Sequence, residues 1–248
     1  MRQFTRSVLI VLALAGIAAP HAARSQAAPD YAAIVAAPDR SAADRENDKR
    51  RAPEKVLAFS GVRTGWTVLD MGAGAGYDTE LFARAVGPTG KVYAQDSAEV
   101  FPRPQKAWEE RAKSPAMANV THVTRPYDDP VPPDVKNLDL VTFFYFYHDT
   151  TYMKVDRAKM DKALFDALKP GGYLVIADYA AAKGAGTSVG KTFHRIEEST
   201  LISEVEAAGF KKVDEGDFLR NPNDPHNMPI FHPTIPIDIF VLKFQKPA

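Results

Sequence analysis

The run Val68-Leu69-Asp70-Met71-Gly72-Ala73-Gly74-Ala75-Gly76 constrains this chain more than any other stretch. Thr67–Asp70 reads as a buried strand, and three alternate glycines follow it. Asp78–Val86 then has the pattern of a helix that stops at Gly87-Pro88-Thr89-Gly90. A strand that turns through glycines into a helix is an α/β element. The glycines let the backbone approach a ligand closely, and the helix start offers free N–H groups.

The same alternation continues to the end of the chain. Lys91–Gln95, Asn119–Thr124, Leu138–Tyr147 and Tyr173–Ala177 read as strands, and Leu138–Tyr147 is apolar throughout, as a central parallel strand should be. Helices are expected over Glu54–Phe59, around Glu99–Arg111, over Val155–Leu168 up to Lys169-Pro170-Gly171-Gly172, and over Phe193–Ala208 up to Gly209. Pro102 and Pro104 blur the start of the second of these. Phe210–Leu219 and Ile237–Phe244 are strands with no helix between them, so they should pair antiparallel. The expected fold is a Rossmann-like α/β domain over 54–248, with a seven-stranded, mostly parallel sheet, helices on both faces and the last strand antiparallel. Asn221–Pro236 carries five prolines and reads as a long loop of the kind that forms lids or binding elements.

The segment before residue 54 divides in two. Arg2 and Arg6, the uncharged apolar run Val8–Ala19 and the small-x-small triplet Ser25-Gln26-Ala27 make residues 1–27 a secretory signal pattern, with cleavage before Ala28. The apolar run holds about a dozen residues, too few for the roughly 20 a membrane span needs, so no stable membrane anchor is expected after signal removal. Residues 28–53 are rich in alanine and charge and read as a solvated helical arm; a sharper alternative has Arg40 or Arg51 covering the mouth of the cofactor pocket. The absence of cysteine excludes a disulfide scaffold, a thiolate metal site and a cysteine nucleophile. Export without cysteines suits a periplasmic or secreted protein. Acidic and basic residues balance, so no nucleic-acid surface is expected.

Two cofactor classes use a strand–glycine–helix turn. The dinucleotide fingerprint needs a third glycine where this chain has Tyr77, and it has no place for Asp70. S-adenosylmethionine lacks a pyrophosphate and carries a sulfonium and an ammonium, so a carboxylate at the turn serves it. Asp96 closes the second strand about 20 residues past the glycines, where an acid accepts both ribose hydroxyl protons. Asp128 and Asp129 follow the third strand, where an acid can take an adenine amino group. Asp70 with Gly72, Gly74 and Gly76, then Asp96, Asn137-Leu138-Asp139-Leu140-Val141 and Leu168-Lys169-Pro170-Gly171-Gly172-Tyr173-Leu174, resemble the successive motifs of class I S-adenosylmethionine-dependent methyltransferases. The flanks Tyr147-His148-Asp149, Thr192–Glu197 and Asp217–Pro222 are similar to those of exported methyltransferase-like proteins. The resemblance implies that Asp70 and the glycines hold the methionine end, Asp96 the ribose, and Asp128 or Asp129 the adenine.

Methyl transfer needs an acceptor held in line and, for a hydroxyl, a group to take its proton. In this fold the acceptor lies beyond the ends of strands four and five. His148, just past strand four, is the candidate base, with a working range near the ordinary histidine value of about 6.5. Asp149 is its candidate partner, although neighbours on a strand point to opposite faces. His194, placed at the start of the helix after strand five, can join them, and Glu197 three residues on would share its face. Two histidines and an acid could bind a metal, but their spacing is not diagnostic, and no metal is expected. No Asn-Pro-Pro-aromatic run follows strand four, which argues against DNA or exocyclic amines as acceptors. The function expected is methyl transfer to a small molecule through oxygen or nitrogen. The rivals are a non-catalytic nucleoside-binding protein of the same fold and a nicotinamide oxidoreductase, the latter disfavoured by Tyr77.

Overall fold

The structure is a computed structural model that describes residues 28–231 and 233–248; the signal pattern of 1–27 lies outside the described residues. Among these, seven strands form one sheet: β1 (Thr67–Met71), β2 (Lys91–Asp96), β3 (Val120–Thr124), β4 (Leu138–Phe144), β5 (Leu168–Tyr179), β6 (Lys211–Gly216) and β7 (Ile239–Gln245). Their spatial order is β3-β2-β1-β4-β5-β7-β6. The first five run parallel, and β7 lies antiparallel between β5 and β6. The order reverses between β1 and β4, so the chain leaves these neighbours in opposite directions and a crevice opens over their carboxyl ends.

The helices are α1 (Tyr31–Ala36), α2 (Ala42–Arg51), α3 (Pro53–Ser60), α4 (Tyr77–Val86), α5 (Gln105–Arg111), α6 (Arg157–Ala167), α7 (Gly190–Phe193) and α8 (Glu198–Ala207). Successive strand residues feed opposite faces. Val68, Leu140, Val175 and Val241 pack against Leu57 of α3 and Leu81 and Phe82 of α4. Leu69, Val141, Leu174 and Leu242 pack against Met160 and Leu164 of α6 and Leu201 and Val205 of α8. Both faces of the central strands are thereby buried, which is why these strands read as unbroken apolar runs.

Three expectations need correction. Strand four ends at Phe144, not Tyr147: Tyr145 takes a left-handed φ of 61°, and Tyr147–Thr151 coil into a 3-10 turn. The helix expected over Phe193–Ala208 is broken. His194 caps α7 in the left-handed region (φ 54°), and the backbone of Ile196 is used to pair with the chain leaving β5, through Ile196 N to Tyr179 O and Ala181 N to Ile196 O. The arm at 28–53 is not a solvated appendage. Arg40 and Asp44 are buried; Asp44 takes both Nη groups of Arg111 on α5 at 2.8 Å, and Asp48 accepts from Arg40 and from the Tyr77 hydroxyl (2.6 Å). Asp39 holds Arg84 of α4. Asp39, Asp44, Asp48 and Arg51, which suggested solvent, are instead paired to α4 and α5, while Glu46 and Lys49 remain exposed.

Candidate active site at the carboxyl edge of the sheet

All three turn glycines have positive φ: 63° at Gly72, 56° at Gly74 and 78° at Gly76. A Cβ on Gly76 would lie 2.9 Å from both Trp108 and Arg111, so this glycine lets α5 close on the turn. A Cβ on Gly74 would meet nothing nearer than 3.9 Å, so the space above the middle of the turn is open. Tyr77 stands where a dinucleotide site would have glycine, and its hydroxyl is committed to the arm through Asp48.

The four acids assigned to the cofactor fall in different settings. Asp70 is buried, and accepts hydrogen bonds from Thr79 Oγ1 (2.5 Å) and Thr142 Oγ1 (2.8 Å). Burial, with the charge of Asp78 second, pushes its carboxyl up to about 7. It ties β1 to α4 and β4 from beneath the turn. Asp96 is also buried: one oxygen accepts from Gly74 N (3.0 Å), and the other meets His122 Nε2 (3.0 Å), whose ring lies between Phe101 and Trp108. It acts first as a strut that sets the glycine turn, and a ribose would have to take the place of His122. Asp128 lines a cavity of about 270 Å³ with Ser97, Thr124 and Tyr127, beside the ends of β2 and β3. Asp129 lies outside it, paired with Arg125 and half exposed. The open turn and this neighbouring cavity fit a nucleoside with a polar tail, with Asp128 rather than Asp129 at its base edge.

Across the switch point, the 3-10 turn brings together the three residues proposed for chemistry. His148 is 1% exposed. Its backbone N donates to Asp178 Oδ2 (2.8 Å) and its Nδ1 meets Asp178 Oδ1 (2.7 Å). Its Nε2 lies 3.0 Å from Asp149 Oδ1 and 3.3 Å from His194 Nδ1, and His194 Nδ1 lies 2.8 Å from the same Asp149 oxygen. The expected obstacle, that neighbours face apart, vanishes because the chain has already turned at Tyr145. Glu197 does not join: it accepts from the backbone N–H groups of Gly184 and Gly186.

Burial alone would lower the affinity of His148 for a proton, but Asp178 and Asp149 outweigh it and lift the value to about 10. Asp149, raised by burial, is held below its usual range by its hydrogen bond from His148. A midpoint near 6.5 is therefore not that of His148: between two carboxylates, and unless a cation sits beside it, it holds its proton at neutral pH.

Next to this cluster lies a cavity of about 670 Å³. Tyr145 and Tyr179, with ring centroids 5.5 Å apart, form its floor, and the Tyr179 ring stands edge-on to His148. Arg51 bounds it on the turn side, 2.8 Å from Asp78, with its guanidinium over the rings of Tyr77 and Tyr145. Ile230, Pro233 and Pro236 of the proline-rich loop supply the far wall. Sequence reasoning missed Asp178, an acid inside the apolar run Tyr173–Tyr179, which is a signal in itself because a buried charge needs a partner. It also missed Arg195–Asp224, the buried pair that fastens the loop.

A Rossmann-like sheet of this order, with a three-glycine turn after β1 and a nucleoside-sized cavity beside it, defines the class of S-adenosylmethionine-dependent methyltransferases. The chain belongs to the methyltransferase domain family, whose pattern matches residues 42–215. It is 32% identical over 125 residues to the ubiquinone/menaquinone biosynthesis C-methyltransferase UbiE of Escherichia coli, across 50% of this chain and 47% of that protein, so it spans about half the length of the curated relatives it matches. Its fold is that of an S-adenosylmethionine-dependent methyltransferase from Aquifex aeolicus (TM-score 0.59, 22% identity, 88% of this chain and 98% of that one). It is also that of an arsenic(III) S-adenosylmethionine methyltransferase from Chlamydomonas reinhardtii (TM-score 0.59, 16% identity, 90% and 74%). A third neighbour is the Aeropyrum pernix fibrillarin with natively bound S-adenosyl-L-methionine (TM-score 0.51, 17% identity, 74% and 67%).

Proposed function

We propose that this protein transfers a methyl group from S-adenosylmethionine to oxygen or nitrogen of a small molecule seated in the 670 Å³ cavity, and that it does so in an export compartment after loss of residues 1–27. The carrying observation is that Arg51, which lines that cavity, packs on Tyr77 and Asp78, the two residues directly after the glycine turn. S-adenosylmethionine, when bound, supplies an electrophilic methyl on a cationic sulfur. The chain's own share is positioning, which can lower such a barrier by roughly 7–11 kcal/mol when reacting atoms are held in line. Gly72, Gly74 and Gly76 shape the turn, Asp128 faces the base edge, and Tyr145 and Tyr179 present flat surfaces to the acceptor. His148 serves to fix charge and geometry at the rim, with Asp149 and His194 around it.

Calorimetric titration of the chain from Ala28 to Ala248 with S-adenosylmethionine tests this. Binding is expected, and Asp128→Ala should weaken it by one to two decades, since hydrogen bonds to a charged acceptor are worth about 1.5–3 kcal/mol. An unmodified chain that binds nothing, or prefers NADH, overturns the cofactor. A chain that binds but never turns over any acceptor supports the alternative of a non-catalytic nucleoside-binding protein.

A further inference from the structure

His148, Asp149 and His194 point one atom each at a common centre. The three separations are 3.0, 3.3 and 2.8 Å. Nitrogen and oxygen ligands sit about 2.0–2.2 Å from a first-row divalent ion, so two of them on one face of its coordination shell are about 2.8–3.1 Å apart at octahedral right angles and about 3.3–3.6 Å apart at tetrahedral angles. We infer that these three residues form a divalent transition-metal site.

Counting protons supports this. Asp178 takes both the Nδ1 side and the backbone N–H of His148, which fixes the neutral ring as the tautomer with a bare Nε2. That lone pair then faces the carboxylate of Asp149 and Nδ1 of His194. The Tyr152 hydroxyl already donates to the same Asp149 oxygen (2.6 Å). His194 Nδ1 can carry one hydrogen, which serves one neighbour. Three electron-rich atoms crowd one point with too few hydrogens between them. Either an extra proton on His148 or a cation at the centre resolves the crowding, and a cation satisfies all three atoms at once.

The surroundings have the form of a metal site. A ligating imidazole whose other nitrogen is held by a carboxylate is the usual outer-shell arrangement, here His148–Asp178. Two imidazoles and one carboxylate select first-row divalent ions over magnesium or calcium, which prefer all-oxygen shells. Three protein ligands on one face leave positions open for water or a ligand. The Asp149 and His194 side chains are 15% and 22% exposed, so an ion has a way in from solvent, while His148 at 2% anchors the inner side. The inference stands on this geometry and does not depend on what the glycine turn binds.

The test uses the chain from Ala28 to Ala248, stripped with chelator and titrated with Co(II). One equivalent should bind and develop the visible d–d bands of a nitrogen–oxygen site, and Zn(II) should displace it. Asp178→Asn, which removes the outer-shell carboxylate, should weaken binding 10–100-fold. His194→Ala and Asp149→Asn should weaken it at least as much, with the fold checked by circular dichroism. His226→Ala, half-buried in the proline-rich loop beside Asp238 and outside this cluster, should leave the bands unchanged. No Co(II) bands in the folded chain, or bands that persist unchanged in both His194→Ala and Asp149→Asn, overturn the inference. Running S-adenosylmethionine titrations in parallel separates the two proposals, because metal binding without cofactor binding refutes the proposed function and leaves this site standing.

Discussion

Arg195 is fully buried, yet it lies between the sheet and the proline-rich loop that walls the 670 Å³ cavity. Its guanidinium donates to Asp224 through Nη1 (2.8 Å) and Nη2 (3.2 Å), to Ala180 O (2.8 Å) and to Met228 O (3.0 Å). Asp224 also accepts from the backbone N–H groups of His226 and Asp238. Arg195→Ala strands that carboxylate away from water and removes the only cation beside it among the described residues. Breaking a buried pair from one side costs about 3–5 kcal/mol. For a domain of this size each kcal/mol moves the melting point by about 2–4 °C, so a drop of roughly 6–20 °C is expected. Urea unfolding and thermal melts measure it, and limited proteolysis should show new cuts within 221–236. Removing both partners, Arg195→Met with Asp224→Leu, should restore part of the loss, because neither charge is then left alone. A loss under about 1 kcal/mol for Arg195→Ala, or a double variant as unstable as the two single losses added, would refute this account of how the loop is held.

Other consequences can be checked on the same protein. Asp161 is buried on α6, and the single Tyr147 hydroxyl is shared between it (2.9 Å) and Glu204 (3.0 Å); burial pushes its carboxyl up to about 7. The folded chain therefore keeps a proton that the unfolded chain releases near pH 4, and this stabilisation is full below pH 4 and lost as pH rises towards 7. Asp161→Asn should flatten that part of the stability–pH curve, read by urea midpoints at pH 5 and 7.5, and an unchanged slope would count against it. Gly76→Ala, with φ at 78° and its new Cβ 2.9 Å from Trp108, should destabilise by about 1–3 kcal/mol in the same assay. N-terminal sequencing of exported material should begin at or near Ala28; intact Met1 on cytosolic protein would remove the export proposal.

The sheet was legible because buried parallel strands must be apolar and helices must stop, and Gly87 and Gly209 mark such ends, whereas Lys169–Gly172, read as a helix stop, already belong to β5. What could not be read lies where long-range contacts override the local pattern. Asp44 looks like one charge among many, yet its partner Arg111 is 67 residues away. Asp48 and Tyr77 meet across 29 residues, and Asp39 and Arg84 across 45. No local spacing announces such pairs. The left-handed turns at Tyr145 and His194 were hidden for a related reason: neither residue type advertises positive φ, and each is fixed by pairing to β5, through Tyr145 N to Ala177 O and the Ile196 bridge. Those two turns are what aim His148, Asp149 and His194 at one point. The residues of the candidate site could be named in the sequence, whereas their convergence could not.

That division has a physical cause in the fold itself. The sheet and glycine turn are built from local signals, and the strand-end acids Asp70 and Asp96 spend their charge on holding that frame, through Thr79, Thr142 and the Gly74 N–H. The cavity beyond β4 and β5 is different: its walls come from the α2–α3 junction and the proline-rich loop, two segments outside the alternating core. Each is fastened by an arginine that no local pattern pairs, Arg51 to Asp78 and Arg195 to Asp224. Its lining includes Arg50, Arg51, Lys55 and Arg220 and no carboxylate, around aromatic and aliphatic walls. Of these cations, Arg51 is paired with Asp78 and Arg220 with Glu198, Glu215 and Asp238. The shape and charge of this cavity therefore rest on the arm and the loop, which can vary while the sheet and the glycine turn stay as they are.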